Sequence, residues 1–187
     1  MKGLYDFLIF AAFASCTYGC SRSKSIGDEV RSMQERTVRL DMQGMECCAN
    51  DTSLLHASPG KSMRWIVYAD SMECSSCFLK QIKEWNVFVQ GKNNGNEKVG
   101  CVVIVFPQKG EYDAIKEEIQ MNCAHPVYID TAGLFERKNP QIPHAPMFHT
   151  FLVDKNDKVV LVGNPLRNEH IRKLFEKRVK SHNGIIK

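Results

Sequence analysis

The feature that most constrains this 187-residue chain is a cysteine pair, Cys74 and Cys77, at the junction of two sequence patterns. The apolar, β-prone run 65–69 precedes the pair, and a run with helical periodicity follows it. This order places Cys74 at or just before a helix N-terminus, where unpaired backbone N–H groups and the helix dipole favour an anion. The thiolate is such an anion, and it is the reactive form of cysteine. Cys77 follows about one helical turn later, close enough to attack a mixed disulfide at Cys74.

The CxxC spacing alone also occurs in haem and zinc sites. No histidine follows Cys77 directly, which excludes c-type haem attachment. No second CxxC or HxxxH is present at finger spacing, so a structural zinc site would lack half of its ligands. A CxxC between a strand and a helix in an α/β pattern is typical of a thiol–disulfide site. A structural disulfide remains the alternative.

The first 20 residues predict a secretory signal, because a basic start leads into an apolar run, 7–14, that is too short to span a bilayer. Cys16 and Cys20 each stand where the cysteine of a bacterial lipobox would. Cys20 is preferred, since Gly19 and Ser21 flank it. We expect a lipoprotein signal over 1–20, a tether and N-terminal extension over 21–61, and the main domain over 62–187. The lipid would tether the protein to a membrane on the periplasmic side of a bacterial envelope.

Composition excludes several other classes of protein. The net charge of +4 is small and scattered, so nucleic acid is not an expected partner. The six histidines form no ligand-like cluster in the sequence, and no cofactor or metal is expected. The hydrophobic fraction of 43% is that of an ordinary globular protein.

From residue 62 onward, periodicity predicts the order β-α-β-α-β-(α)-β-β-α. Alternating strands and helices imply parallel pairing with right-handed crossovers, and the final hairpin adds an antiparallel pair. The fold class is therefore α/β, with a mixed central sheet and helices on both faces. A further strand is expected upstream. The predicted strands cover 37–42, 62–69, 99–106, 126–130, 147–153 and 158–162, and the predicted helices 74–90, 112–121, 131–138 and 168–180.

This order, with a CxxC at the first helix and a proline before the hairpin, resembles the thioredoxin-like fold. More narrowly, it is similar to the TlpA/ResA-type thiol–disulfide oxidoreductases of the bacterial envelope, many of which are lipoproteins. The resemblance covers about residues 62–180. The motifs that carry it are 65–70 with the CxxC, PVYID at 126–130, APMF at 145–148 with FLVD at 151–154, and KVVLVGNP at 158–165.

The resemblance implies thiol–disulfide exchange on envelope proteins. Cys74 would attack a substrate disulfide and Cys77 would resolve the mixed disulfide. Pro146 matches a proline that is cis in the family and lies against the two cysteines. It would leave the backbone of Ala145 free to pair with a substrate strand. The implied partners are protein disulfides or dithiols and a separate electron donor or acceptor.

The sequence departs from the family near the first cysteine. Glu73 stands where tryptophan is common, and a carboxylate there disfavours the thiolate. Tyr68 occupies the position of a buried acid in the first strand. Asp70 and Glu73 are candidates for proton handling.

Four further cysteines lie in the main part of the chain, outside the CxxC. For the adjacent residues Cys47 and Cys48, we expect one buried thiol and one free or distally paired thiol. The alternative is that they form a second redox pair. Cys101 and Cys123 should lie at the end of the sheet opposite the CxxC. They are expected as buried inert thiols, with a disulfide between them as the alternative.

Two other functions stay open at this point. A copper-binding module of the same fold would combine the cysteine pair with His144 or His149, with Met72 close by. A non-enzymatic interaction domain would instead keep Cys74 and Cys77 locked in a structural disulfide.

Overall fold

The computed structural model describes residues 25–48, 63–73, 75–93, 99–123 and 125–182. The side chains of residues 75–77, 79, 92, 93 and 182 lie outside that description. The strands are β1 (Glu46–Cys48), β2 (Met63–Ala69), β3 (Val99–Val105), β4 (Val127–Ile129), β5 (Thr150–Asp154) and β6 (Val159–Val162). The helices are α1 (Ile26–Glu35), α2 (Ser75–Asn93), α3 (Tyr112–Asn122), α4 (Leu134–Lys138) and α5 (Glu169–His182), with a 3₁₀ turn at Pro146–Phe148.

The six strands form one mixed sheet in the order β1-β4-β3-β2-β5-β6. β2, β3 and β4 run parallel, whereas β5, β6 and β1 join through antiparallel pairs. β2 lies between β3 and β5, and six of its seven residues are buried. Burial on both faces explains why β2 and β3 are almost continuously apolar. The predicted α/β class with a mixed central sheet is confirmed.

Each face of the sheet has its own core. On one face, Trp65 packs against Trp85 of α2 and Phe175 of α5, and Ile115 and Ile119 of α3 belong to the same core. On the other face, the core side chains come from α1, α4 and the connecting segments, and they include Met33, Val38, Phe135 and Phe148. Helices therefore cover both faces of the sheet.

The segment expected as a tether and N-terminal extension contributes two elements to the same folded unit. Helix α1 begins with a capping box, in which Ser25 and Asp28 satisfy each other's backbone N–H groups. It packs against β6. Strand β1 pairs with β4, Cys47 facing Tyr128 in the register. The predicted signal over 1–20, with Cys16 and Cys20, lies outside the described residues. Within the described part of the chain, every helix is too short or too polar to cross a bilayer.

One strand prediction is wrong, and a second begins too early. Over 37–42 the structure has only an isolated bridge from Thr37 to Lys158, because the side chain of Asn139 provides hydrogen bonds to the backbone of Arg39 in place of a neighbouring strand. The strand predicted over 147–153 begins at Thr150, because the 3₁₀ turn occupies the residues before it.

Candidate functional site

The candidate site lies where β2 ends and α2 begins. Ala69 closes β2, and its carbonyl accepts a hydrogen bond from Phe106 N at 2.8 Å. Helix α2 begins at Ser75, the residue after Cys74. Cys74 itself and the side chain of Cys77 lie outside the described residues. The backbone therefore has the predicted strand–turn–helix order, with Cys77 in the first turn of a 19-residue helix.

Asp70 organises the turn between these elements. Its Oδ1 accepts hydrogen bonds from Met72 N at 2.8 Å and Glu73 N at 3.0 Å. Such a side chain bound to the backbone two residues on is an Asx turn, which tolerates the sharp change of direction. Gln108 donates to the carbonyl of Glu73 at 3.2 Å. Asp70 therefore has a positioning role here, because it and Gln108 both hold the backbone immediately before Cys74.

The side chain of Glu73 points to His149, a residue that the sequence suggested only as a ligand in the copper-binding alternative. Its Oε1 lies 2.7 Å from Nδ1 of His149. The His149 side chain is only 4% exposed and that of Glu73 22% exposed. The other ring nitrogen of His149, Nε2, lies 3.1 Å from the carbonyl oxygen of Pro143. The ring of Tyr68 lies against the imidazole, with 5.1 Å between the ring centroids.

Strand pairing, which the sequence pattern does not report, brings His149 to this site. His149 directly precedes β5, and β5 pairs with β2, the strand that leads to the CxxC. The backbone link is direct, since Tyr68 N donates to the carbonyl of His149 at 2.9 Å. A polar residue at that position therefore has to come close to the turn before Cys74.

Tyr68 of β2 is buried at the position where the resemblance described above would place a buried carboxylic acid. Its side chain is nearly inaccessible, and its hydroxyl has no hydrogen-bond partner among the described residues. Burial raises the pKa of Tyr68, and the carboxylates of Glu136 and Asp70 raise it further. Tyr68 therefore stays a neutral phenol at ordinary pH and does not act as a base.

The loop that carries Ala145 and Pro146 differs from the expected geometry. Pro146 opens the 3₁₀ turn, and none of the described peptide bonds is cis. The expectation of a cis proline is wrong for this structure. The carbonyl of Ala145 accepts a hydrogen bond from Phe148 N at 2.9 Å, so that acceptor is used inside the turn. Ala145 and Pro146 themselves are exposed.

A groove of about 640 Å³ adjoins this loop. Its wall includes Ile26 and Val30 of α1, Phe78 of α2, Met147 of the 3₁₀ turn, and the Glu73–His149 pair. Ile26 and Met147 expose 60% and 53% of their surface, respectively. Most of the groove's surface is thus apolar, and polar groups such as Gln81, Asn164 and Arg167 line it besides the Glu73–His149 pair.

The histidines expected for a copper site are both engaged by protein groups. His144 Nδ1 lies 2.6 Å from Oε1 of Glu136, and both ring nitrogens of His149 face protein oxygens. One oxygen each of Asp70 and Glu73 and a nitrogen of His149 lie within 4.8 Å of one another. The hydrogen bonds of this cluster already satisfy the histidine, so the contacts describe a polar network and give no support to the copper alternative.

The remaining described cysteines are free thiols. Cys48, Cys101 and Cys123 are buried and Cys47 is exposed, which confirms one buried and one accessible thiol at the adjacent pair. Cys101 and Cys123 are not bonded to each other, so the buried-thiol prediction is confirmed and the disulfide alternative is not. Burial raises the pKa of Cys123 to about 12 and also raises the pKa of Cys101. These thiols have no thiolate character at ordinary pH.

No protein-family model and no curated protein matches the chain. Among solved structures, the chain is similar to a thioredoxin-like protein from Porphyromonas gingivalis, with 21% identity, 65% of this chain and 76% of that chain covered, and a TM-score of 0.44. A thioredoxin-like protein in the oxidised form shares 16% identity over 80% of this chain and 92% of its own, with a TM-score of 0.45. The bacterioferritin comigratory protein of Xanthomonas campestris shares 14% identity over 65% of this chain and 80% of its own, with a TM-score of 0.43.

All three TM-scores lie below 0.5, so the fold is assigned from the strand order and not from these similarities. That order joins a parallel β2–α2–β3 unit to an antiparallel β5–β6 hairpin and a terminal helix α5. The chain is an α/β protein with a thioredoxin-like fold.

Proposed function

We propose that this protein carries out thiol–disulfide exchange on protein substrates through Cys74 and Cys77. The observation that carries the proposal is the start of α2 at Ser75, directly after Cys74. The partial positive charge of a helix N-terminus stabilises a thiolate, and low-pKa thiolates of redox proteins typically occupy this position.

The reaction has two thiol-exchange steps. The Cys74 thiolate attacks one sulfur of a substrate disulfide, forming a mixed disulfide and releasing the other substrate sulfur as a thiolate. The Cys77 thiolate then attacks Cys74, which forms the Cys74–Cys77 disulfide and releases the second substrate sulfur. The substrate gains two electrons and the protein loses two. A dithiol partner must reduce the protein again, and in the opposite direction the same steps oxidise a substrate dithiol.

The groove supports a protein as the substrate. Its apolar wall beside the β2–α2 connection matches an extended segment with apolar side chains on either side of a cystine. Met147 on this wall is 53% exposed, and its flexible apolar side chain can adapt to different sequences.

Substitution of the two cysteines tests this function. Cys74→Ser should abolish reduction of a protein disulfide such as that of insulin, whereas Cys77→Ser should accumulate mixed disulfides with substrate. Cys47→Ser is the matched control, because it removes an exposed thiol on the edge strand β1 and should leave the rate unchanged. Full activity in Cys74→Ser contradicts the proposal. A Cys74–Cys77 disulfide that resists dithiol reductants would favour the interaction-domain alternative.

We further propose that the protein works at a bacterial envelope membrane, anchored through Cys20. The support is the sequence pattern of residues 1–20 alone. Metabolic labelling with a fatty acid should label the wild type and Cys16→Ser but not Cys20→Ser. Labelling that is lost in Cys16→Ser would instead assign the lipid anchor to Cys16. A product that is cleaved but carries no label would indicate a plain secretory signal.

A further inference from the structure

Both ring nitrogens of His149 face hydrogen-bond acceptors. The carbonyl oxygen of Pro143 has no proton to give, so Nε2 must donate across the 3.1 Å contact. A neutral imidazole with its proton on Nε2 has a bare lone pair on Nδ1. That lone pair would face Oε1 of Glu73 at 2.7 Å, and an ionised carboxylate also offers only lone pairs.

The contact at Nδ1 therefore needs a second proton. An imidazolium can supply it to a carboxylate, or a protonated Glu73 can supply it to a neutral imidazole. In both arrangements the Glu73–His149 pair holds two protons and has a net charge of zero. Without the bridging proton, two lone pairs would meet in a largely buried site, where unsatisfied polar groups are costly.

Titratable and charged groups surround the Glu73–His149 pair, and they come from every element that packs against it. β2 contributes the neutral phenol of Tyr68, and the turn contributes Asp70. Two more acids, Glu136 of α4 and Asp130 at the end of β4, lie close enough to act on Tyr68. Glu136 is paired with His144, and the two face a cavity of about 300 Å³ that Glu73 also lines. On the groove side, Arg167 pairs with Glu84 at 3.1 Å. His149 is thus the one described basic group in contact with the Glu73 carboxyl.

Resting on the proposed function, we propose that His149 is a positioning residue that cancels the charge of Glu73 and so keeps the adjacent Cys74 reactive. A bare carboxylate directly before Cys74 would oppose formation of the thiolate. The shared proton removes that opposition and leaves the effect of the helix N-terminus in force. This pairing explains how a glutamate can occupy the position before the first cysteine.

The test is the pH dependence of Cys74 alkylation by iodoacetamide, measured by mass spectrometry in a Cys77→Ser background so that the reacting peptide holds one thiol. His149→Phe should raise the midpoint pH by about one unit, the size expected of one uncompensated charge near a thiol. At a pH below the midpoint, that shift is about tenfold in rate. Glu73→Gln/His149→Phe should return the midpoint to that of the parent, because it removes the charge together with its partner. A purely structural role for His149 would not be rescued in this way.

His144→Phe is the matched control. His144 forms the second histidine–glutamate contact of this region but is 84% exposed, so its loss should leave the midpoint unchanged. The ¹⁵N and ¹³C signals of His149 and Glu73 give a readout that needs no reaction. At neutral pH they should show two protons on the pair. An unprotonated Nδ1 beside an ionised Glu73, or an unchanged midpoint in His149→Phe, overturns the inference.

The two proposals fail separately. If the midpoint shifts as expected but Cys74→Ser still reduces protein disulfides, the pairing stands and the proposed function fails. If Cys74→Ser is inactive but His149→Phe has the parental midpoint, the function stands and the pairing has no effect on the thiol.

Discussion

The side chain of Asn139 forms hydrogen bonds with both the backbone N–H and the backbone C=O of Arg39, which lies 100 residues earlier in the chain. Arg39 N donates to Oδ1 of Asn139 at 2.7 Å, and Nδ2 donates back to the carbonyl of Arg39 at 3.1 Å. The same Nδ2 also donates to the carbonyl of Phe135 in α4 at 2.9 Å. One fully buried amide thus replaces a strand partner for residue 39 and fastens it to α4.

Asn139→Ala should reduce the free energy of unfolding by about 2–4 kcal/mol, because it removes four side-chain hydrogen bonds, two of them to the backbone of Arg39, and takes a donor away from the buried carbonyl of Phe135. Urea denaturation monitored by circular dichroism measures the change. Asn156→Ala, in the exposed β5–β6 turn, is the control and should change stability by less than about 0.5 kcal/mol. A loss of similar size in both variants would show that the buried amide has no special role.

Patterns that report burial could be read from the sequence. The spacing of Phe78, Ile82, Trp85 and Val89 predicted one apolar helix face, and all four are buried. The apolar run of β3 predicted a strand enclosed on both faces, and each of its seven residues is buried. A residue that faces the core is apolar whatever it packs against. These patterns can therefore be recognised in the sequence without knowing the packing partners.

Features that depend on a distant partner could not be read in the same way. The alternation over 37–42 resembles a strand, but Asn139 supplies the backbone partners of Arg39. β1 has only three residues, and its strand conformation comes from pairing with β4. The contact between Glu73 and His149 joins residues 76 positions apart, and it exists only because β5 pairs beside β2.

The described cysteines should differ sharply in reactivity. Burial raises the pKa of all four, but Cys48, Cys101 and Cys123 are also shielded from reagents, whereas Cys47 is exposed. In the native protein at pH 8, iodoacetamide should modify Cys47 well before these three, as peptide mass spectrometry would report. In urea the four thiols should react at similar rates. If Cys101 in the native protein were modified as fast as Cys47, the sheet would have to open locally at β3.

His125 should make the protein less stable in mild acid. Burial lowers the pKa of His125, and its Nε2 has no hydrogen-bond partner among the described residues. The unfolded chain therefore binds a proton below about pH 6.5, before the folded protein does. The free energy of unfolding must then fall as the pH drops through this range, until the folded pKa is reached.

The measurement is the urea midpoint at several pH values between 7.5 and 5. His125→Gln should remove a distinct part of this dependence, since glutamine does not titrate. His170→Gln, on the exposed side of α5, is the control and should retain the full dependence. Identical pH profiles for the wild type and His125→Gln would contradict the prediction.

The groove should distinguish protein substrates from small disulfides. Met147 is 53% exposed on its wall, and a charged side chain there would have to be desolvated when an apolar segment binds. Met147→Asp should therefore lower kcat/KM for a protein disulfide by about 5- to 30-fold, equivalent to about 1–2 kcal/mol. Reduction of a small aromatic disulfide, which needs no groove, should change less than about twofold. Met121→Asp is the matched control, because Met121 is 63% exposed on α3 and does not line the groove. Equal losses for both substrates would place the effect of Met147 on the thiol chemistry instead of on binding.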